Sequence, residues 1–448
     1  MKKLQFVFTL ILSLFVFSAN AAVKINHWQT ATGARVYFVE NHDLPIVDVS
    51  VSFPAGSSRD TAATSGLAGV TRYMMTLGAA GMDEEVITNQ FADIGAQLGG
   101  DFDMDKAGFK LRTLTSEQGK ALDTFQKILH HPDFPPSVLA REKTRIVSGL
   151  RESETQPESI SNKAFMKALY GTHPYSLDDS GEIDTVSQIK TEDLRQFYQT
   201  YYSAKSAVIA LIGDMTESQA HAIADSISAG LPQTPAVQKI VPVESLANAS
   251  VMNISHPATQ AHILVGQSGI KRGDPDYFPL YVGNYILGGG GFVSRLTEEV
   301  REKRGLVYSV YSYFMPMSEN GPFQIGLQTK KEQAKDALKL VNETVATFVN
   351  KGVTEKELKA AKDNIIGGFP MRIDSNSKIL DYLSVIGFYQ LPLTYLDDFN
   401  REINKVTVQK INDAFKRRVN PANFVTVIVG ADSNTQSKSL SEKSSNRM

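Results

Sequence analysis

The sequence of 448 residues predicts an α+β protein that is built from two similar halves. The chain is longer than one hydrophobic core usually serves, so two or more domains are expected. A segment beginning at Ile189 also aligns without gaps on a segment beginning at Val406, an offset of 217 residues. Because this offset is close to half of the chain, we interpret the two segments as copies of one repeated unit.

Each copy of the repeat has the same pattern of apolar residues. IKTEDLRQFYQTYYSAKSAVIALIGD aligns on VTVQKINDAFKRRVNPANFVTVIVGAD, so that Leu194 corresponds to Ile411 and Gly213 to Gly430. The spacing predicts an amphipathic helix, a turn and then a buried strand that ends at the glycine. Each half is therefore expected to contain both helices and strands.

The repeat and the local composition divide the chain into segments. We predict a signal peptide over residues 1–21, an N-terminal half over 22–231 and a C-terminal half over 248–432. The segment 232–247, which contains proline and valine, is interpreted as a linker. The polar tail 433–448 is predicted to be disordered.

The first 21 residues have the three parts of a secretory signal peptide. Lys2 and Lys3 are followed by an apolar run from Phe6 to Phe17 and by the small-residue sequence Ala-Asn-Ala, which ends at Ala21. The run is too short to span a bilayer comfortably, and no later segment offers about 18 uninterrupted apolar residues. We therefore predict cleavage after Ala21, a bacterial periplasmic location and a soluble mature chain without a membrane span.

The composition excludes several kinds of chemistry. The chain has no cysteine, which rules out disulfides, thiolate metal ligands and a cysteine nucleophile. Without Lys2 and Lys3, 44 basic residues remain against 48 acidic ones, which argues against nucleic acid as a partner. None of the eight histidines lies three or four residues from another, the spacing that places two ligands on one helical face.

The N-terminal half begins with alternating strand and helix patterns. In IVDVSVSF, residues 46–53, valine and phenylalanine alternate with aspartate and serine, which predicts a strand with one buried face. A helix starts near Thr64 or Ser65, and a second helix has Asp83 as its N-cap and ends at Gly95. Further strands are predicted around 96–102 and 107–114, and further helices near 117–130 and 137–152.

Several short motifs together are similar to those of one peptidase family. AGSSRD precedes SGLA, LYGTHPY spans residues 169–175, and ILGGGGFVSRLTEEVREKRGLVYSV lies in the C-terminal half. With these motifs and the repeated strand ends, the chain resembles the pitrilysin (insulinase, mitochondrial processing peptidase-like) family of zinc metallopeptidases. The resemblance covers nearly all of the mature chain. It implies two homologous halves, each a mostly antiparallel sheet covered by helices, as in the processing peptidase and LuxS-like metallohydrolase fold.

The zinc motif of that family is degenerate in this chain. In active members the residues after Ser-Gly-Leu-Ala form His-x-x-Glu-His, in which two histidines on one helical face bind zinc and the glutamate acts as general base. The corresponding residues here are Gly69, Arg72 and Tyr73. The third family ligand, a glutamate in a later helix, falls on Gly149, and Glu152 is the nearest alternative. The resemblance therefore implies a non-catalytic member with no complete catalytic site and no metal of its own.

Arg301 and Tyr308 flank the turn EKRGLV and are seven residues apart. In the resembled family, an arginine and a tyrosine at this spacing contact the substrate backbone and help to stabilise the carbonyl oxygen as it becomes tetrahedral. Both side chains are hydrogen-bond donors, which suits that role. The alternative is a surface ion pair from Arg301 to Glu298 or Glu299 and a tyrosine that only packs.

The glycine run that follows Leu287 could be mistaken for a phosphate-binding loop. It lacks Gly-Lys-Ser/Thr, and no βαβ dinucleotide fingerprint surrounds it. The resemblance instead explains these glycines as a close-packed loop that faces a central cavity.

The functional prediction follows from the asymmetry between the halves, since the zinc site is lost and the pair of Arg301 and Tyr308 is kept. We predict a periplasmic subunit that is inactive alone and forms a heterodimer with a homologous His-x-x-Glu-His peptidase subunit. Zinc is expected in that partner, and the substrates are peptides. The alternative is a non-enzymatic peptide-binding or scaffold protein of the same fold. A third interpretation, a zinc peptidase with an unusual site of its own, requires ligands that we do not find in the sequence.

Overall fold

The computed structural model describes residues 23–244 and 248–430. The predicted signal peptide, 1–21, and the predicted tail, 433–448, lie outside the described residues. The described part of the predicted linker, residues 232–244, contains neither helix nor strand. We keep the segment boundaries as a proposal. Within the described ranges, no helix is long and apolar enough to cross a membrane.

The N-terminal part of the chain contains one large sheet and one short pair of strands. The strands of this part are β1 (Asn26–Gln29), β2 (Arg35–Glu40), β3 (Ile46–Phe53), β4 (Gly78–Ala79), β5 (Met82–Asp83), β6 (Gln97–Gly99), β7 (Ala107–Leu114) and β8 (Val208–Gly213). Six of them form a sheet in the order β1-β2-β8-β3-β7-β6, and β4 pairs with β5. In the large sheet β2 and β8 are parallel, and the other neighbouring strands are antiparallel.

The helices of this part of the chain are α1 (Leu67–Met74), α2 (Glu84–Ala92), α3 (Gln118–His130), α4 (Pro136–Ser153), α5 (Pro157–Tyr170), α6 (Ile183–Gln188), α7 (Thr191–Tyr201) and α8 (Glu217–Ala229). Most of them complete the hydrophobic core of this sheet, but Phe165 and Leu169 of α5 pack against the sheet of the C-terminal half instead. Apolar residues of α1, α3 and α7 pack with those of β3, β7 and β8 in one buried cluster. Burial of this apolar surface is the main favourable contribution to folding.

The C-terminal part repeats the arrangement with five strands. They are β9 (Ser250–Ile254), β10 (Gln260–Ser268), β11 (Val307–Phe314), β12 (Pro322–Lys330) and β13 (Val425–Val429), in the order β11-β12-β10-β13-β9. β13 and β9 are parallel, and the other neighbours are antiparallel. The helices are α9 (Tyr277–Asn284), α10 (Ala334–Lys351), α11 (Glu355–Gly368), α12 (Asn376–Tyr389), α13 (Tyr395–Asn404) and α14 (Val408–Arg418). Two π-helical segments, Tyr285–Gly289 and Thr297–Glu302, connect α9 to β11.

The predicted repeat is confirmed as one structural unit that occurs in both halves. α7 leads into β8 in the same way as α14 leads into β13, and Leu194 and Ile411 are fully buried at corresponding positions. Gly213 is the last residue of β8 and Gly430 directly follows β13, with φ values of 135° and 88° that residues other than glycine rarely adopt. The α+β fold class and the mostly antiparallel sheets are therefore as predicted.

The predicted elements of the first half are present, with shifted ends. β3 and β7 have the predicted bounds, and Asp83 caps α2 by accepting a hydrogen bond of 2.9 Å from the Val86 amide. α1 begins at Leu67, later than predicted. The reason is that Gly66, just before it, has a φ of 95°, which lies outside the α-helical region.

The prediction that β3 has only one buried face is wrong. Its polar residues Asp48, Ser50 and Ser52 are as buried as its valines. Helix α12 of the C-terminal half packs against β3, and the Ser384 hydroxyl lies 3.1 Å from the hydroxyls of Ser50 and of Ser52. The alternation therefore marks two different buried surfaces, because a helix far away in sequence provides hydrogen-bond partners for the polar one.

Candidate functional site

Helix α1, which carries the degenerate motif, is held at its N-terminus by a buried aspartate. The Asp60 carboxylate accepts hydrogen bonds of 2.9 Å from the Gly66 amide and 3.0 Å from the Ala68 amide. These amides have no partner within the helix, and a carboxylate suits the positive end of the helix dipole. Val70 and Met74 are buried on the face of α1 that packs into the core. The helix is thus fixed by capping and packing without any metal.

Arg72, which the resemblance aligns with the general base of the family, is fixed against the sheet. Its guanidinium donates to the Gly108 carbonyl oxygen on β7, with Nη2 at 3.2 Å and Nε at 3.4 Å. The guanidinium carbon also lies 5.3 Å from the centre of the Phe109 ring, a cation–π contact. Burial lowers the pKa of Arg72, but a guanidinium starts so high that it remains protonated.

The close approach of Arg72 to the sheet requires a glycine at the neighbouring loop. A Cβ atom at Gly100 would lie 2.3 Å from Nη2 of Arg72 and 2.1 Å from the Gly108 carbonyl oxygen. Gly100 also has a φ of 155°. The missing side chain and the backbone conformation of Gly100 thus both allow the charged side chain of Arg72 to lie against this loop.

Tyr73, which the resemblance aligns with the second histidine of the motif, contacts helix α4. Its hydroxyl accepts a hydrogen bond from Arg145, and the guanidinium carbon of Arg145 lies 5.2 Å from the centre of the tyrosine ring. Arg145 Nε is also 2.8 Å from a carboxylate oxygen of Glu142, and Arg141 Nε is 2.8 Å from the other. Burial raises the pKa of Glu142, but Arg141 and Arg145 outweigh this effect, so its pKa lies below the ordinary value. Arg141 Nη2 also lies 2.7 Å from a Glu84 oxygen, so two arginines face two carboxylates in this cluster.

The remaining motif positions provide no ligand. Gly69 has no side chain, and a Cβ there would lie 3.2 Å from the Asp179 carbonyl oxygen and 3.3 Å from the Phe102 ring. A Cβ at Gly149 on α4 would point into open space, and Glu152 is exposed. Across residues 23–244 and 248–430, no group of three or more His, Asp or Glu side chains could hold a metal ion. A glycine, an arginine and a tyrosine bonded to Arg145 do not fit zinc, which needs neutral imidazole or anionic ligands.

Arg301 lies at the end of the second π-helical segment, beside an exposed aromatic ring. Its guanidinium carbon is 5.0 Å from the centre of the Phe292 ring, and its Nε is 3.7 Å from a Glu302 oxygen. The ion pair from Arg301 to Glu298 or Glu299, which the alternative interpretation required, is absent from the described structure. Those two carboxylates pair with Lys303 instead, at 3.0 Å and 2.7 Å.

Tyr308 lies in a bulge of the edge strand β11. Val307 is opposite Thr329 and Ser309 is opposite Gln328, so Tyr308 is the extra residue between two paired ones. Its side chain is 57% exposed, which means that it does not serve to fill the core. The structure thus leaves the donors of Arg301 and Tyr308 in or near solvent on the C-terminal half.

The glycine-rich segment before Arg301 packs closely against its neighbours. It is followed by two exposed apolar side chains. A Cβ at Gly288 would lie 2.4 Å from the Ser312 hydroxyl oxygen, and one at Gly290 would lie 2.6 Å from the Tyr285 carbonyl oxygen. Phe292 and Val293 follow directly and are 71% and 73% exposed. The loop is close-packed, as the resemblance implied.

Sequence reasoning missed the residues that occupy the neighbourhood of the degenerate motif. On α4, Arg145 follows Glu142 by three residues and Arg141 by four, spacings that place its side chain beside both of theirs. Nothing in this spacing indicates that they face Tyr73, because α1 and α4 meet only in the folded chain. Phe292 had a local signal, a large aromatic residue directly after a run of glycines.

Comparison with known proteins gives matches over both halves. Residues 35–178 match the family model of insulinase (peptidase family M16), and residues 188–365 match the model described as peptidase M16 inactive domain. The crystal structure of a peptidase M16 inactive domain from Pseudomonas fluorescens is 40% identical with a TM-score of 0.88. That similarity covers 91% of this chain and 98% of the other.

Two curated bacterial relatives are similar over most of their length. A non-peptidase homolog, YmxG of Helicobacter pylori, is 26% identical over 429 residues, which are 94% of this chain and 98% of the relative. An uncharacterized zinc protease, YmxG of Bacillus subtilis, is 26% identical over 393 residues, or 87% and 94% of the two chains. Because the two relatives are named differently at equal identity, the residues of α1 are more informative about activity than overall similarity.

Proposed function

Because the chain belongs to the insulinase (M16) family of peptidases, as an inactive-type member, we propose that it is the non-catalytic subunit of a peptidase. In this proposal it pairs with a homologous subunit that carries His-x-x-Glu-His and zinc. The complex hydrolyses peptides, and the isolated chain does not. We also propose a periplasmic location, which rests on the signal-peptide pattern of residues 1–21.

The observation that carries the proposal is the contrast between Arg72 and the Arg301–Tyr308 pair. Arg72 donates a hydrogen bond to the Gly108 carbonyl oxygen inside the fold, and its positive charge would repel a divalent cation. Arg301 and Tyr308 make no buried hydrogen bond of this kind in the described structure. The Arg301 side chain is partly exposed, and Tyr308 is largely exposed. A chain that only served as a scaffold would have no need of exposed donors next to an exposed aromatic ring.

In the proposed complex the two chains contribute different groups. Zinc held by the partner would supply the activation of water for attack on the peptide bond. In this chain, the Arg301 guanidinium and the Tyr308 hydroxyl donate hydrogen bonds to the peptide carbonyl oxygen, where negative charge develops in the transition state. Phe292 packs beside the peptide as an apolar surface and keeps the Arg301 guanidinium in place through its ring contact.

The test is to isolate the native chain from the periplasmic fraction under mild conditions and to identify by mass spectrometry what accompanies it. We expect a protein of similar size with His-x-x-Glu-His in about equal amount. After separation, each chain alone should be inactive on peptides, and mixing should restore hydrolysis that a zinc chelator abolishes. If the chain is found alone, as a homodimer or only with unrelated proteins, the scaffold or peptide-binding alternative takes the place of this proposal.

A further inference from the structure

A cavity of about 490 Å³ lies between the two halves, away from the residues discussed above. It is lined by β2 and the loop after β3 from the N-terminal half, by α12 and the loop after β10 from the C-terminal half, and by the described part of the linker. Neither α1 nor the segment from Arg301 to Tyr308 contributes to it. Its size is within the range of small-molecule sites in proteins.

The lining of this cavity is strongly basic. It contains two carboxylates, Asp105 and Glu319, and six cationic side chains: Arg35, Arg59, Lys205, Lys239, Lys271 and Arg272. Such an excess of positive charge is unusual in a chain whose formal net charge is −2. The cationic side chains come from both halves and from the linker, so that folding alone brings them together.

Most of these cations have no anionic partner in the described structure. Lys271 lies 4.0 Å from Glu319, and the other five have no carboxylate within 4.0 Å among the described residues. Asp105 accepts hydrogen bonds from the hydroxyls of Tyr175 at 2.6 Å and Tyr389 at 2.9 Å and from the Ser318 amide at 2.7 Å. The cationic side chains outnumber the carboxylates of the cavity lining, so like charges repel one another at a site that is partly shielded from water.

The arginines of the cavity have free hydrogen-bond donors. Arg59 donates its Nε to the Pro54 carbonyl oxygen at 2.9 Å, and Arg35 donates one Nη to the Gly387 carbonyl oxygen at 3.0 Å. Each guanidinium has five N–H groups, so several remain available. Burial lowers the pKa of both groups, yet they stay charged.

Arg272 lies at the wall of the cavity, and an aromatic ring holds its guanidinium there. Its Nε is buried and has no hydrogen-bond partner in the described part of the chain. Its guanidinium carbon lies 5.1 Å from the centre of the Tyr389 ring, which fixes its position without satisfying its donors. The guanidinium therefore adds a positive charge to the cavity that no carboxylate within 4.0 Å compensates in the described structure.

We propose that this cavity binds a small polyanion that carries phosphate or carboxylate groups. The planar guanidinium fork matches both groups with two parallel hydrogen bonds, and the lysines compensate further charge. A half-open cavity of about 490 Å³ has the size of a small-molecule site. Because both halves contribute, the bound anion links them and stabilises the folded chain. The inference does not depend on the proposed peptidase partner.

The experiment is isothermal titration calorimetry of the full chain with inorganic pyrophosphate and, separately, with citrate. We expect saturable binding at one site per chain for at least one of the two probes. The exposed lysines allow a mild variant, Lys205→Gln/Lys239→Gln, which should weaken binding by roughly tenfold or more. Arg272→Gln should weaken it similarly. The matched control, Lys335→Gln/Lys416→Gln, removes two exposed lysines elsewhere and should change affinity by less than about twofold.

The outcomes separate the ligand chemistries and decide the proposal. Preference for pyrophosphate assigns a phosphate ligand, and preference for citrate assigns a carboxylate ligand. Absence of saturable binding of both probes up to about 10 mM overturns the proposal. Equal weakening by the control variant also overturns it, since the binding would then reflect overall charge. If Arg272→Gln does not fold, the two lysine variants decide the question alone.

Discussion

The guanidinium of Arg72 on α1 donates to the carbonyl oxygen of Gly108 on β7, with Nη2 3.2 Å from that oxygen. This bond connects the helix of the degenerate zinc motif to the sheet beneath it. By the sequence resemblance, we predict that this helix position corresponds to the general base of active peptidases. Here the residue at this position is part of the fold, which explains how the helix remains ordered without a metal.

Replacement of Arg72 by a carboxylate should be more harmful than its replacement by an apolar side chain. Arg72→Met leaves the Gly108 oxygen unpaired but keeps the packing, so we expect a loss of about 1–2 kcal/mol in the free energy of unfolding. Arg72→Glu places a carboxylate against a carbonyl oxygen and the negative face of the Phe109 ring, and we expect a loss of about 3 kcal/mol or more.

Urea denaturation at neutral pH measures both losses. The control is Arg304→Met, which removes an exposed arginine and should change the free energy of unfolding by less than about 0.5 kcal/mol. Equal stability of the Glu and Met variants of Arg72 would show that the contacts to Gly108 and Phe109 are not important.

Loss of the donors of Arg301 or Tyr308 should slow peptide hydrolysis by the proposed heterodimer. Because these donors act on charge that develops in the transition state, we expect Arg301→Ala to lower kcat by about 10²-fold or more. Tyr308→Phe removes only one hydroxyl and should lower kcat by roughly 10-fold to 100-fold. The measurement is steady-state hydrolysis of a peptide by the purified pair.

Two neighbouring residues provide controls for this measurement. Tyr311→Phe removes a hydroxyl from the same strand, and Arg304→Ala removes an arginine three residues from Arg301. Both should leave kcat within about twofold. Full activity of Arg301→Ala and Tyr308→Phe would remove the assigned role, although the pairing of the two chains could still be correct.

The buried carboxyl of Asp48 should make stability depend on pH. Burial raises the pKa of Asp48 to about 6. The positive charge of Arg112 lowers this pKa in part, and the negative charge of Asp381 raises it further. One of its oxygens has no hydrogen-bond partner in the described structure. The pKa of Asp48 is higher in the folded chain than in the unfolded chain, so protonation of this carboxyl favours the folded state. This contribution to the free energy of unfolding is fully present below about pH 4 and is lost as the pH rises through about 6.

The comparison of wild type with Asp48→Asn isolates this effect, because the other titrating groups are common to both. Between pH 4 and pH 7, the free energy of unfolding of wild type should fall by about 2 kcal/mol relative to the variant. Urea denaturation at several pH values provides the data. Parallel pH profiles of the two proteins would contradict the raised pKa.

Two glycines should respond in opposite directions to the same substitution. Gly288→Ala brings a Cβ to 2.4 Å from the Ser312 hydroxyl oxygen, so we expect a loss of about 1–3 kcal/mol in the free energy of unfolding. Gly367, within α11, has no atom within 4 Å of such a Cβ, and Gly367→Ala should gain about 0.5–1 kcal/mol from helix propensity. Thermal unfolding of both variants gives the signs. A stabilising effect of Gly288→Ala would mean that the loop is not close-packed.

Local patterns were sufficient for many elements of the fold. β3 and β7 were predicted with their observed bounds because their alternating or continuous apolar residues have the period of a strand. The capping of α2 by Asp83 was predictable because a cap involves residues only three apart. The buried environment of Ser50 was not predictable, because its partner Ser384 is 334 residues away.

The sequence by itself determined that this chain repeats one α+β unit and that its motif helix lacks zinc ligands, since an absent imidazole or carboxylate cannot be supplied by folding. Only the tertiary structure decided what replaced them: Arg72 bonds to Gly108, and Tyr73 bonds to Arg145. It also decided that unpaired cations from both halves surround one cavity. Contacts of this kind join segments that are distant along the chain, and no periodicity in the sequence encodes which segments meet.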